Sequence, residues 1–300
     1  MSGQSVKEIP CERAMTKLKR KIPYGWDLNA YRGCAHGCKY CYAVYSHDYL
    51  EGGAFDRDIY VKRDILEKLE RELGSPSWKR EVVNLGGVTD SYQKAEETLK
   101  LMPEILKLLI RYKTPAIIST KSVLPQRDYD LIDELSRITY INIAATVTTM
   151  DEAVRELLEP GAAPSAERFA MLKEFRKTNA SIGVHLMPII PLLTDSRENL
   201  EEILSRSKDC GADYVLPGTL YLRGPTKEIF LRFMKENYPD KFEELTRMYG
   251  KGGAGKDYKE ALYSMLLPLR AAYGLSGSYS KPMKEKLRAA AEEEEQQLSF

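Results

Sequence analysis

The sequence has no excess of charge of either sign. Its 45 Lys and Arg residues are balanced by 44 Asp and Glu residues, which gives a formal net charge of +1. A basic field over the whole molecule, of the kind that holds nucleic acid, is therefore absent, although a local basic patch is compatible with this balance. Nucleic acid is for this reason a disfavoured partner.

Long apolar runs are also missing. No stretch reaches the roughly 18–20 consecutive apolar residues that a membrane-spanning helix needs. The segment from Met1 to Pro10 is polar and lacks the apolar centre of a signal peptide. These absences predict a protein without a membrane partner, and a cytoplasmic location is the default expectation.

Cysteine is scarce, but its distribution is uneven. Three of the five cysteines, Cys34, Cys38 and Cys41, lie within eight residues in the pattern CxxxCxxC. In a reducing compartment such a cluster indicates metal binding before disulfide formation. Thiolates are soft ligands that suit iron–sulfur clusters or zinc. Three protein ligands leave one metal position open, which is typical of a reactive site.

A structural zinc site is the alternative interpretation of this loop. It would use His36 as a fourth ligand. Because His36 lies between Cys34 and Cys38, a ligand so close in sequence would strain a tetrahedral loop. A non-catalytic zinc or iron–sulfur module is therefore kept only as a third hypothesis for the function.

Short β-like runs alternate with amphipathic helical runs from Trp26 onward. Several strand candidates are nearly continuous apolar runs, which is typical of parallel strands covered on both faces. Six successive βα units predict an α/β protein with a partial (β/α)6 TIM-type barrel and its site at the carboxyl ends of the strands. The predicted strands are 27–31, 81–85, 115–119, 140–147, 181–187 and 213–220, and the predicted helices are 64–73, 95–112, 128–135, 151–158, 166–178 and 196–209.

The chain divides into three predicted segments. Residues 1–25 are basic and are predicted to be an irregular leader that wraps the main domain. Residues 26–224 form the predicted barrel, which ends where Gly224 and Pro225 break the βα pattern. Residues 225–300 carry apolar residues at helical spacing and are predicted to be a helical C-terminal extension.

The segment from Asn29 to Ala43 reads NAYRGCAHGCKYCYA. It resembles the radical SAM superfamily and, more narrowly, the group related to spore photoproduct lyase, from whose motif it departs where Ala30 replaces proline. The resemblance runs from about Trp26 to Arg223. It implies a 4Fe–4S cluster on the three cysteines, with S-adenosylmethionine bound to the open iron. It further implies reductive cleavage to a 5′-deoxyadenosyl radical, which abstracts hydrogen from a substrate. An external electron donor such as flavodoxin or ferredoxin is then needed.

The turn after the second predicted strand is the first candidate cofactor contact. Gly86 and Gly87 let the backbone approach a ligand closely, while Thr89 and Asp90 offer an oxygen and a negative charge to an ammonium group. The resemblance implies that this turn binds the amino group of S-adenosylmethionine. The alternative is a plain glycine turn in which Asp90 or Ser91 caps the next helix.

Two further candidates follow the third and fourth predicted strands. Lys121 comes directly after an apolar strand and is poised to pair with a carboxylate; the resemblance implies the carboxylate of the cofactor, and the alternative is a solvated loop lysine. Thr148, with Thr146 as second choice, is the predicted contact to the ribose. The alternative for both threonines is ordinary β-propensity.

A rigid loop containing Pro160, Gly161 and Pro164 carries the last candidates, Glu159 and Arg168. Either side chain is predicted to touch the cofactor, and Glu159 alternatively anchors the loop. His185, within the fifth strand, is interpreted as a satisfied core histidine.

The reaction on the final substrate is left open by the sequence. Spore photoproduct lyases carry a hydrogen-donating cysteine just before the position matched by Thr89, whereas this chain has Val88 there and glycines before it. The first hypothesis is therefore a radical SAM enzyme that abstracts hydrogen from an unidentified substrate. Repair of a DNA lesion, in the manner of the lyase, is the second.

Overall fold

The computed structural model describes residues 5–20, 22–48, 50 and 53–298. Residues 1–4 and 21 of the predicted leader, 49, 51 and 52 of the predicted barrel, and 299–300 of the predicted extension lie outside the described residues. The strands are β1 (Ser5–Ile9), β2 (Met15–Lys17), β3 (Trp26–Leu28), β4 (Tyr31–Arg32), β5 (Asp58–Lys62), β6 (Val83–Leu85), β7 (Ala116–Thr120), β8 (Ile141–Thr146), β9 (Ser181–Ile189) and β10 (Tyr214–Thr219).

Helices follow most of these strands. They are α1 (Ile65–Leu73), α2 (Glu96–Leu99), α3 (Leu101–Arg111), α4 (Tyr129–Ile138), α5 (Glu152–Leu158), α6 (Ser165–Phe175), α7 (Arg197–Asp209), α8 (Pro225–Asn237), α9 (Pro239–Met248), α10 (Lys256–Ala272) and α11 (Ser280–Leu298). Two short 3-10 helices span Tyr42–His47 and Leu124–Asp128. Among the described residues, no helix is both long and apolar enough to cross a membrane.

The main sheet confirms the predicted fold class. Its strands lie in the order β10-β9-β8-β7-β6-β3-β2, and every neighbouring pair is parallel except β2 with β3. The consecutive order of the six parallel strands is the one that successive βα crossovers produce. The sheet begins at β2 and ends at β10, so the architecture is a partial (β/α) barrel rather than a closed one.

The two faces of this sheet differ in their chemistry. On the outer face, one row across five strands is entirely aliphatic and buried against the helices, and it consists of Leu28, Leu85, Ile118, Ile143 and Ile182. The adjacent row, on the inner face, is mostly polar and consists of Asp27, Asn84, Ile117, Asn142 and Ser181. Burial of the aliphatic face holds the sheet to its helices, whereas the inner face is left for polar groups.

The N-terminal segment differs from its prediction as irregular chain. β1 pairs in parallel with β5 in a small second sheet, of order β1-β5-β4, and β2 adds an antiparallel edge to the main sheet. β2 begins at the buried Met15, beside the buried Ala14. The sequence gives weak signals here because both strands are short and mostly exposed.

The predicted helix over 95–112 is broken at Lys100, which adopts a left-handed conformation with φ of 50° between α2 and α3. Pro103 explains the break, because a proline ring inside a continuous helix clashes with the carbonyl four residues earlier. Restarting the helix at Leu101 puts Pro103 in a first turn, where it is tolerated.

The segment after Gly224 is largely helical in the described residues, as predicted. At the start of α8, Thr226 Oγ1 donates a hydrogen bond of 2.8 Å to the carbonyl oxygen of Cys41. Met283 of α11 packs against Val82, Ile117 and Tyr140, near the starts of β6, β7 and β8. The extension therefore contacts both the cysteine loop and the inner face of the sheet.

Candidate active site

The three cysteines lie on the loop that leaves β4 and ends in the 3-10 helix Tyr42–His47. Cys34 is buried, Cys38 and Cys41 are partly exposed, and all three thiols are free. Burial raises the pKa of Cys34 well above its usual range and that of Cys38 to about 12, and nearby thiols add to both shifts. The three sulfur atoms are thus close enough to influence one another electrostatically.

Backbone N–H groups are directed at two of these sulfur atoms. His36 N–H donates to Cys34 Sγ, and the N–H groups of Ala43 and Val44 donate to Cys41 Sγ. Such hydrogen bonds favour the thiolate and oppose the burial that raises the pKa of each thiol. Three soft donors, two of them with this support, fit the ligand set of an iron–sulfur cluster.

Within the residues that the structure describes, no group of three His, Cys, Asp or Glu side chains is placed to bind one common metal ion. In a 4Fe–4S cluster each thiolate binds a different iron atom, so the sulfurs need not converge on a single point.

His36 uses both of its ring nitrogens within the protein. Nδ1 lies 2.9 Å from the carbonyl oxygen of Gly161, and Nε2 lies 2.9 Å from Oδ2 of Asp90. Both ring nitrogens are thus engaged by oxygen atoms of the protein, and this arrangement disfavours the zinc alternative.

Asp90 joins the cysteine loop to β7. Its carboxylate accepts hydrogen bonds from the His36 ring, from the hydroxyl of Thr120 and from the backbone N–H groups of Tyr92 and Lys121. Burial alone would raise the pKa of Asp90, but the charge and hydrogen bond of His36, with these N–H donors, lower it to about 2. A carboxylate so fully bonded has little capacity left for a cofactor ammonium. Its role is structural, but it is not the predicted helix cap, because the next helix, α2, has Ala95 at its N-cap and no side-chain cap hydrogen bond.

The glycine turn lies against the start of the cysteine loop. Gly86 has a φ of +98°, and a Cβ there would approach the carbonyl oxygen of Thr89 to 2.8 Å. A Cβ on Gly87 would collide with the carboxylate of Asp27. Thr89 Oγ1 donates to the carbonyl of Gly33 at 2.6 Å, so this hydroxyl too is occupied within the protein.

Gln93 is a site residue that the sequence interpretation passed over. Its side chain is fully buried, and its carboxamide bonds to the backbone on both sides of Cys34, at Gly33 and Ala35. The available signal was a large polar residue three positions after Asp90, in a segment with no other assigned role.

Glu159 and Arg168 form a buried pair. Arg168 Nη2 lies 2.8 Å from Glu159 Oε2 in an ion pair, and both side chains are fully buried. Tyr40, inside the cysteine loop, donates its hydroxyl to Glu159, and Thr148 donates to the same oxygen at 3.1 Å. Burial acts to raise the pKa of Glu159, but Arg168 and Lys121 lower it. The predicted cofactor contacts Thr148, Glu159 and Arg168 are therefore joined to one another and to the cysteine loop.

The loop after Glu159 packs directly on the cysteine loop. Gly161 N–H donates to the carbonyl of His36 at 2.9 Å, and Lys39 N–H donates to the carbonyl of Leu158 at 2.9 Å. A Cβ on Gly161 would collide with the carbonyl oxygen of Ala35. Glycine is thus required by close backbone contact at this point.

Lys121 differs from these bonded residues. Its ammonium lies 5.6 Å from the centre of the Tyr40 ring and has no hydrogen bond or ion pair with any described residue. Burial acts to lower its pKa, but the Cys38 thiol and the Glu159 carboxylate outweigh burial and raise it. A partly exposed cation held beside the cysteines is suited to an anionic group of a ligand.

His185 departs from its interpretation as a satisfied core histidine. The ring is partly exposed on the inner face, where its backbone is in register with Thr146 and Leu216. Its Nε2 is 3.4 Å from the Tyr214 hydroxyl. Burial, with a smaller effect from Lys121, lowers the pKa of His185 to about 4, so the ring is neutral near pH 7.

Two solved structures share this fold. A mutant of spore photoproduct lyase matches with a TM-score of 0.64 and 14% identity, over 89% of this chain and 79% of that one. A second mutant, with bound AdoMet and dinucleoside spore photoproduct, matches with a TM-score of 0.57 and 13% identity, over 78% of this chain and 66% of that one. At such low identities the likeness concerns the fold alone, and the chain spans just under two thirds of the second structure.

Sequence comparisons give closer matches. A protein of Mycobacterium tuberculosis (strain ATCC 25618 / H37Rv), described as uncharacterized, is 33% identical over 294 residues, which cover 96% of this chain and 86% of the relative. An uncharacterized protein of Methanocaldococcus jannaschii is 26% identical over 224 residues, covering 74% of this chain and 80% of the relative. The sequence profile of the Radical SAM superfamily matches residues 28–207, which is more than half of the chain. The chain therefore belongs to the Radical SAM superfamily.

Proposed function

We propose that this radical SAM enzyme holds a 4Fe–4S cluster on Cys34, Cys38 and Cys41. The observation that carries the proposal is the cysteine loop itself, with three free thiols, N–H donors directed at two sulfurs and the ammonium of Lys121 beside them. Bound there, the cluster would supply one electron for the cleavage of S-adenosylmethionine to methionine and a 5′-deoxyadenosyl radical.

In this proposal some residues of the chain contact S-adenosylmethionine, and others hold the contacting loops in place. Lys121, whose ammonium has no hydrogen bond or ion pair in the described part of the chain, pairs with the carboxylate of the cofactor. In this proposal the backbone of the turn at Gly86 and Gly87 contacts the cofactor. Both positions require glycine, because a Cβ would meet the Thr89 carbonyl at Gly86 and the Asp27 carboxylate at Gly87. Asp90 and Glu159 do not touch the cofactor in this proposal. Their carboxylates hold in place the loops that carry the contacting residues.

The substrate occupies the inner face of the sheet in this proposal. Asp27, Ser119 and His185 are partly exposed there, whereas outer-face residues next to them, Leu28, Ile118 and Val184, are buried. Such groups suit a polar, hydrogen-bonding substrate. The hydrogen atom is abstracted from a carbon of that substrate, and the electron arrives from an external donor such as flavodoxin or ferredoxin.

The test is an anaerobic reconstitution with iron and sulfide, followed by addition of dithionite and S-adenosylmethionine. We expect the EPR signal of a reduced cluster and formation of 5′-deoxyadenosine, measured by mass spectrometry. Reactions without dithionite should give no product. A reconstituted protein that takes up iron but never forms 5′-deoxyadenosine would refute the catalytic proposal and leave a non-catalytic metal-binding module.

Repair of a DNA lesion is the second candidate, supported by the shared fold with spore photoproduct lyase. It lacks support from the turn after β6, where Gly86, Gly87 and Val88 provide no thiol to return hydrogen to a product radical. An oligonucleotide containing spore photoproduct should therefore remain unchanged under conditions in which 5′-deoxyadenosine is formed. Conversion of that oligonucleotide would reverse this preference.

A further inference from the structure

Cys34 is the most buried of the three cysteines, and one side chain from outside the loop, Gln93, bonds to the backbone on both sides of it. Gln93 Oε1 accepts a hydrogen bond of 2.9 Å from the N–H of Ala35. Gln93 Nε2 donates to the carbonyl of Gly33 at 3.1 Å. A single carboxamide thus bonds to the residue before Cys34 and to the residue after it.

The same carboxamide connects this loop to the glycine turn. Gln93 Nε2 is 3.0 Å from Thr89 Oγ1, and Thr89 Oγ1 in turn donates to the Gly33 carbonyl at 2.6 Å. Gln93 and its bonds are shielded from water, since the side chain has no exposed surface. Removal of the side chain would strand the N–H of Ala35, and a buried polar group without a partner is costly.

The sulfur of Cys34 depends on this backbone geometry. Its hydrogen bond comes from the N–H of His36, the residue after Ala35. The N–H of Cys34 itself donates to the carbonyl of Phe55 at 2.9 Å. Rotation of the peptide units on either side of Cys34 would therefore change both the direction of the thiolate and the hydrogen bond that it accepts.

We infer that Gln93 is a positioning residue for the cluster, which sets the placement and the hydrogen bonding of the Cys34 thiolate while touching neither iron nor cofactor. The inference rests on the proposed 4Fe–4S cluster and goes beyond it, because it assigns control of one ligand to a residue outside the cysteine motif. Outer-shell partners of metal ligands fix ligand orientation in this way and influence the properties of the metal.

The test compares Gln93→Met, which keeps the length of the side chain and removes its hydrogen bonds, with Gln126→Met at an exposed position. After reconstitution, iron release to a chelator is timed, and the EPR spectrum of the reduced cluster is recorded. We expect Gln93→Met to lose iron about 10–100-fold faster than wild type and to show altered g-values. Gln126→Met should match wild type in both measurements. Thermal unfolding of the apo-proteins separates this effect from general loss of structure.

Wild-type iron release and an unchanged EPR spectrum in Gln93→Met would overturn the inference. If that variant does not fold, Gln93→Glu carries the test, because it keeps the acceptor for the Ala35 N–H but loses the donor to Gly33, and we expect an intermediate effect. A crystal structure of the reconstituted wild type needs no variant. The inference would also be overturned if, in that crystal structure, the Gln93 carboxamide lay beyond hydrogen-bond distance of Gly33 and Ala35. Failure of wild type to bind iron would instead refute the proposed function.

Discussion

Two groups of polar side chains lie near the cysteine loop, and they differ in how their hydrogen-bonding capacity is used. Asp90, Gln93 and Glu159 are buried and each bonds to several partners from different segments. Lys121 and His185 are partly exposed, and neither has an ion pair with a described residue. The first group is already occupied in holding loops together, whereas the second still has capacity for a ligand.

This difference separates residues that the sequence alone predicts to have the same role, contact with the cofactor. Asp90, Lys121 and Glu159 all follow strands or loops at the same end of the sheet, and each was predicted to touch the cofactor. Their surroundings favour direct contact only for Lys121. The predictions below test this division, beginning with the residues on which both groups depend.

Replacement of a cysteine of the loop should have the largest effect. Cys38→Ala removes one of three thiolates, and we expect loss of the cluster and of all 5′-deoxyadenosine formation, because two thiolates cannot hold it against a chelator. Iron content and EPR measure the outcome. Cys210→Ala is the matched control, since Cys210 is buried outside the cysteine loop and its thiol donates to the carbonyl of Ser207. Retention of a catalytic cluster in Cys38→Ala would contradict the assignment.

The bonded group is tested next, through its buried ion pair. Arg168→Met leaves the carboxylate of Glu159 buried without its cation, which should lower the free energy of unfolding by about 3–5 kcal/mol. Urea denaturation of the apo-protein measures this change. Adding Glu159→Gln should restore part of the loss because the uncompensated charge is removed.

The control for this pair is Arg206→Met, which breaks the exposed pair with Glu202. We expect a change of less than about 1 kcal/mol there. If Arg168→Met and Arg206→Met lower the free energy of unfolding equally, Glu159 and Arg168 are not a structural pair. Both would then again be candidates for contact with the cofactor.

The sequence predicts the fold more completely than it predicts these roles. The six parallel strands were predicted because their apolar runs reflect burial on the helix side, a property that each strand shows by itself. The hydrogen bonds of Asp90 are different, since His36 and Thr120 come from other segments, 54 and 30 residues away. Such contacts depend on the packed tertiary structure, so a motif can identify Asp90 but cannot tell whether its oxygens are free.

Lys121 tests the second group. Lys121→Met removes an ammonium without a partner among the described residues, and we expect S-adenosylmethionine to bind about 10–100-fold more weakly. The unfolding of the apo-protein should change little. Titration calorimetry on the reconstituted protein measures affinity, with Lys208→Met, at an exposed position of α7, as the control. Unchanged affinity would mean that Lys121 serves only to balance the charges of the cysteines and Glu159.

His185 should give the smallest effect at neutral pH, and its sign depends on pH. With its pKa lowered to about 4 from 6.5, the folded protein keeps the ring neutral where the unfolded chain binds a proton. Its contribution to stability is therefore complete above pH 6.5 and is lost as the pH falls towards 4, with a loss of about 2 kcal/mol at pH 5. His185→Gln should reduce this decline and leave stability near pH 7.5 almost unchanged, as followed by urea denaturation at both values. An equal decline in wild type and variant would mean that the ring is free to take up a proton on the inner face, as a well-solvated histidine is.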